Sequence, residues 1–146
     1  MESKLGALDK ERITQYEAEI KEAQNILAEI ILADINDFIR DSIKIRAMKY
    51  TLIVLVEAIC NLCRHILAKK AHIVVEEYME AILKMQEKGF LSDSIVEKLV
   101  PLTKLRHQLI HGYWKTDDRR LFLETKNSLG VIEQFIKELD QFLPHL

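Results

Sequence analysis

At 146 residues, with 49% hydrophobic and 30% charged side chains, the chain is sized for one folded domain and its composition argues against disorder. A net charge of −2 excludes a global electrostatic pull on nucleic acid, so any such binding must be local. No apolar run reaches the ~18 residues of a membrane span, and MESKLGALDKER lacks a signal-peptide core, so a cytoplasmic protein with no membrane partner is expected.

The first predicted helix runs from about Asp9 to Ala33, where Ile13, Tyr16, Ile20, Ala23, Leu27 and Ile30 recur at spacings of three and four. DINDFIRDS then offers several N-cap residues and reads as a turn. A second helix is expected from about Ser42 to Lys70; its centre, TLIVLVEAICNLC, is apolar nearly all round, broken only by Glu57 and Asn61, and should be the most buried element. VVEEYMEAILKMQEKG forms a third helix, with Gly89 as its C′ residue. In LSDSIVEKLVPLTKLRHQLIHG, Ser92 or Ser94 caps a fourth, and Ser94 with Glu97 has capping-box spacing. Pro101 predicts a kink or break there, and Gly112 the end. A fifth helix runs from about Asp118 to Phe142. With no strand alternation, repeat or linker, residues 1–146 read as a single all-α domain, a bundle of about five helices.

The chemistry-bearing residues are unevenly spread. Cys60 and Cys63 form CNLC in the middle of an apolar helix without a second ligand pair, so they read as buried thiols rather than a zinc or redox site. AKKAH is a solvated helix end whose cations suit the helix dipole, and His65, His72 and His145 stand alone. RHQLIHGYWK is different. Arg106, His107, His111, Tyr113 and Trp114 crowd the end of a helix whose Leu99, Leu102, Leu105 and Leu109 take the core-facing stripe. Arg106 and Tyr113, seven apart, share a face; His111 lies about 140° round from Arg106, a gap that a tightened terminal turn would narrow. Arginine brings a permanent planar cation suited to phosphate, and histidine a proton exchangeable near neutral pH. No metal or cofactor is expected.

RHQLIHGY matches the R-x4-H-x-Y motif of the HEPN superfamily and resembles in particular the HepT-like toxins of the HepT–MntA toxin–antitoxin systems. The likeness extends to IKIRAMKYTLIVLVEAICNLCRHIL, similar to the family's long second helix with its R-A pair and central glutamate, and to GFLSDSIVEKLVPLTKLRHQLIHGYWKTDD; it covers roughly residues 8–140. One position departs: the family usually carries Asn after the motif arginine, and this chain carries His107. The resemblance implies an antiparallel HEPN-like bundle that forms a two-fold homodimer. Its facing motifs would line the composite cleft of a metal-independent endoribonuclease. It further implies a nucleotidyltransferase (MntA-like) antitoxin that adds AMP to Tyr113 and silences the toxin.

Under that reading His111 is the general base or acid at the RNA 2′-OH, and Arg106 stabilises charge on the phosphoryl oxygens. His107 is expected to orient substrate or assist proton transfer, while Arg46 and Glu57 on the second helix either line the cleft or form an ion pair. Between Lys98 and Arg120 six Lys or Arg face two Asp, a local positive surplus of four in which Lys104, Lys115, Arg119 and Arg120 contact RNA. Trp114 either stacks on unpaired bases or packs. The alternative is a non-catalytic HEPN partner that holds substrate for a nucleotidyltransferase. A third reading is a helical dimer using Arg106 and His111 only as interface.

Overall fold

Asp9, Asp34, Asp41 and Asp117 each stand in extended backbone just before a helix and accept hydrogen bonds from N–H groups of its first turn. The computed structural model describes residues 8–112 and 117–143. Among them are six α-helices: α1 (Lys10–Ile30), α2 (Ile35–Phe38), α3 (Ser42–Ile66), α4 (Tyr78–Glu87), α5 (Asp93–Gly112) and α6 (Asp118–Phe142). A π-helical turn, Leu67–Ala71, prolongs α3, and no strand occurs among the described residues.

The helix beyond the expected five is α2. DINDFIRDS does turn the chain, but it does so through one helical turn capped by Asp34 and pinned by the fully buried Phe38, whose ring meets Phe122 at 4.9 Å. The anticipated stripe of α1 is the buried one: Ile13, Ile20, Ala23, Leu27 and Ile30 face inward, with Tyr16 half-buried. α3 lies at the centre, packed on α1, α4 and α5, and α6 closes the bundle against α1 and α5. By length and composition Ser42–Ala71 would suffice to cross a membrane, yet 67% of its most apolar window is buried inside the bundle. Its hydropathy is spent on the core. Burying each of its Leu, Ile or Val side chains contributes about 1.5–3 kcal/mol.

Three local expectations need correction. α4 starts at Tyr78 rather than Val74, because the preceding segment is tied down: Val75 is buried and its carbonyl accepts from Arg64 Nε at 2.8 Å. The helix does stop as its glycine demands. Gly89 takes φ 73°, its N–H bonds the Gln86 carbonyl, and the Phe90 N–H bonds that of Met85, a Schellman closure. The cap of α5 is Ser92, whose Oγ accepts from the Ile95 N–H, while its own backbone N–H is taken by Glu138 of α6. A carboxylate from another helix thus does what Glu97 was expected to do within the turn. Finally, of the kink or break expected at Pro101, the break does not occur: α5 is one helix through it. Pro101 and Glu97 are both exposed, so the carbonyl that loses its intrahelical bond sits on the wet face.

His65 closes the bottom of the bundle: its buried ring accepts the Asp9 N–H through Nε2 at 3.1 Å. Burial, then the positive charges of Arg12 and Lys69, hold its pKa below the ordinary 6.5. His72 ends the π turn in the left-handed region at φ 55° and is exposed. His145 lies outside the described residues.

Candidate functional site

The C-terminal half of α5 meets α3 on one side, the start of α4 on another and the start of α6 beyond. Arg106 leaves α5 toward α3 and α4. Its Nη2 donates to Glu57 Oε1 at 2.9 Å, and its guanidinium carbon sits 4.6 Å from the centre of the Tyr78 ring. The arginine side chain is 21% exposed and Glu57 37%, so the pair is only partly screened by water. Among the described residues, Arg106 Nε is buried without a hydrogen-bond partner. One nitrogen and one face of the guanidinium are therefore held, and its buried Nε–H is unspent.

This cation lines a cleft of about 710 Å³ between α5 and the start of α4, shared with Glu76, Glu77, Tyr78, Lys104 and His107. His111 lines a different concavity, of about 480 Å³, with His107, Gln108, Asp117 and Arg120. His107 and Gln108 form the wall between the two. The separation follows from helix geometry. Five residues at 100° each leave about 140° between Arg106 and His111, and α5 stays α-helical to Gly112, so the expected tightened turn does not close the gap. His107 and His111, four apart, do meet: their ring centres are 4.3 Å apart, tilted by 46°.

The start of α6 is anchored opposite His111. Asp117 Oδ1 accepts from the Arg119 and Arg120 N–H groups, Asp118 pairs with Lys49 of α3 at 3.4 Å, and Arg119 donates to Asn36 at 3.1 Å. Arg120 projects into the His111 concavity, although its Nε is bonded to Glu124 at 2.8 Å. Of the cationic residues read from sequence, Lys104 and Arg120 thus sit at the two concavities, and Arg119 is engaged at α2.

Arg46 joins neither concavity. It is exposed on α3, eleven residues from Glu57, which is about 16 Å along the helix, so the ion pair of Glu57 is made with Arg106 instead. Tyr113, Trp114 and Lys115 lie outside the described residues. Cys60 and Cys63 are buried free thiols. Burial pushes the Cys60 thiol up to about 12, against the lowering influence of Thr103 and Arg106, so it is a packing residue and no nucleophile. Burial raises Cys63 as well.

Tyr78 is the site residue that the sequence did not announce. It sits in a segment with ordinary amphipathic spacing, and only the packing of α4 on α5 brings its ring beneath Arg106.

A family model described as ribonuclease HepT-like matches residues 19–139. The fold is that of solved toxin–antitoxin structures. The tri-AMPylated HEPN toxin of Shewanella oneidensis, in complex with its MNT antitoxin, superposes with a TM-score of 0.82 at 16% identity, covering 91% of this chain and 99% of that one. A toxin–antitoxin with AMP-PNP superposes at 0.81 and 16% identity, covering 90% and 99%. The cytosolic protein of unknown function YutE from Bacillus subtilis reaches 0.67 at 14% identity, over 86% and 89%. No curated protein matches the sequence significantly.

Proposed function

This chain belongs to the HepT-like ribonuclease family, and on that premise we propose that it is the metal-independent endoribonuclease of a toxin–antitoxin pair. The observation that carries the proposal is Arg106, which lines a nucleotide-sized cleft, oriented by Glu57 at 2.9 Å and by Tyr78 beneath it. A cation held in advance costs no reorganisation when charge develops on a phosphoryl group.

His111 takes the proton from the RNA 2′-OH, whose oxygen attacks the neighbouring phosphorus; the 5′-oxygen leaves with a proton, giving a 2′,3′-cyclic phosphate. Arg106 stabilises the extra negative charge on the non-bridging oxygens. His107, between the two concavities, orients substrate or relays the proton. Because Arg106 and His111 of one chain open into neighbouring concavities, the working site is the cleft of a homodimer, where a second copy supplies the complementary pair. The partner is a nucleotidyltransferase antitoxin that adds AMP to Tyr113. The adduct sets a bulky anion beside the motif and competes with RNA for Arg106. The fold likeness to a toxin that is AMPylated in complex with its MNT antitoxin supports this reading.

Purified protein should cut RNA in EDTA and leave 2′,3′-cyclic ends, and co-expression with the neighbouring nucleotidyltransferase should add AMP to wild type but not to Tyr113→Phe. Binding of RNA without any cut by wild type, under conditions where the protein is folded and dimeric, would replace this reading with that of a substrate-holding module.

A further inference from the structure

His107 and His111 are one turn apart on one face of α5, both are exposed, and their rings, 4.3 Å apart, both line the His111 concavity. A tetrahedral zinc ion bonds imidazole nitrogens at about 2.0–2.1 Å, so two such nitrogens stand about 3.3 Å apart. With both lone pairs aimed at one tetrahedral ion the ring centres stand about 5 Å apart, so a pair at 4.3 Å must open by about 1 Å, which rotation about Cα–Cβ as well as Cβ–Cγ supplies without moving the helix. The four-residue spacing on a regular helix is the same one that lets a pair of histidines grip one cation in helical metal sites. Within the local positive surplus, Asp117 lines the concavity as an acid, and Arg120, which lines it too, is bonded to Glu124.

We propose that His107 and His111 form a two-nitrogen chelate for a borderline-soft divalent cation, zinc above all, and that its occupancy switches off RNA cleavage. This rests on the ribonuclease function proposed above. Nitrogen ligands select zinc-class ions over magnesium or calcium, which demand oxygen. Among the described residues of one chain no group of three His, Cys, Asp or Glu forms a set, so the chelate has two protein nitrogens and binds reversibly, unlike a four-ligand structural zinc site. A lone pair of His111 that is bonded to zinc cannot accept the 2′-OH proton. Inhibition therefore needs no conformational change. The spacing alone did not suggest a metal; the ring contact and the shared concavity do.

The test titrates zinc chloride into EDTA-treated, dialysed protein by calorimetry and follows RNA cleavage in parallel. Wild type should bind one zinc per chain. His107→Ala and His111→Ala should each bind more than about tenfold more weakly, since even second-sphere changes at metal sites cause losses of that size. His72→Asn, at an exposed histidine in left-handed backbone that Asn tolerates, should bind as wild type does. Cleavage by wild type should fall in step with zinc occupancy and return on adding EDTA, and whatever cleavage His107→Ala retains should be insensitive to the same zinc. No saturable heat from folded wild type, undiminished binding by His107→Ala, or full cleavage at zinc saturation would each overturn the proposal. The calorimetric arm needs no RNA, so a protein that binds zinc through both rings but never cuts RNA upholds the chelate and overturns the ribonuclease reading.

Discussion

Arg106 and His111 sit five residues apart on one helix, yet the fold treats them in opposite ways. Arg106 is clamped: a carboxylate from α3 holds one nitrogen, an aromatic ring from α4 lies under it, and only 21% of its side chain meets solvent. His111 is left open, exposed in a smaller concavity, with the ring of His107 as its close neighbour among the described residues. The difference matches the two tasks. A stabilising cation works best when it is fixed before charge develops, whereas a proton carrier must reach both substrate and water.

The strongest way to break this comparison is to remove each end in turn. His111→Ala should lower cleavage by about 10²–10⁴-fold, the usual contribution of general acid–base catalysis. Arg106→Ala should lower it by about 10²–10³-fold through lost transition-state stabilisation. Because Arg106 is packed and His111 is not, only Arg106→Ala should also lower the melting temperature. Equal thermal losses in the two variants would erase the contrast between a built and an open half.

A smaller effect sharpens the built half. Tyr78→Leu should slow cleavage by roughly 2- to 30-fold, the kinetic equivalent of a cation–π contact of about 0.5–2 kcal/mol, with the loss in kcat rather than KM. Tyr78→Phe keeps the ring face and should restore most of the rate. If Phe does no better than Leu, the hydroxyl and not the ring positions Arg106. Glu57→Gln retains a hydrogen-bond acceptor but not the charge, and should cost about 1 kcal/mol of stability because the pair is partly exposed. Urea unfolding measures it.

The smallest expected effect lies away from the site, between α1 and α6. Burial, then the adjacent Asp140 carboxyl, raises the Glu17 pKa from 4.5 to about 7. The folded state therefore holds this proton more tightly than the unfolded one. Its contribution is full below about pH 4.5 and is lost as pH rises through about 7. Relative to wild type, Glu17→Gln should thus gain stability progressively over that interval, by about 1 kcal/mol after allowance for solvent screening, while the cleavage rate at fixed pH stays unchanged. A pH-independent difference in the midpoint of urea unfolding would show that Glu17 does not titrate there.

The order of the long helices, the apolar stripe of α1, the buried thiols, the glycine stop of α4 and the aspartate caps within DINDFIRDS were all legible in the chain. Each depends on neighbours within a few residues: period, backbone conformation or a side chain reaching its own first turn. Periodicity also put Arg106 and His111 on one helix end and warned of the 140° between them. What only the tertiary structure decided involves partners far apart in sequence. Glu57 meets Arg106 rather than Arg46, Tyr78 lies beneath the guanidinium, Glu138 caps a helix 46 residues upstream, and the Val75 carbonyl receives Arg64. No local pattern encodes such contacts. They exist because burying the α3 face against α1, α4 and α5 brings those side chains together, and a half-buried charge or a free helix end then takes whichever complementary group the packing supplies.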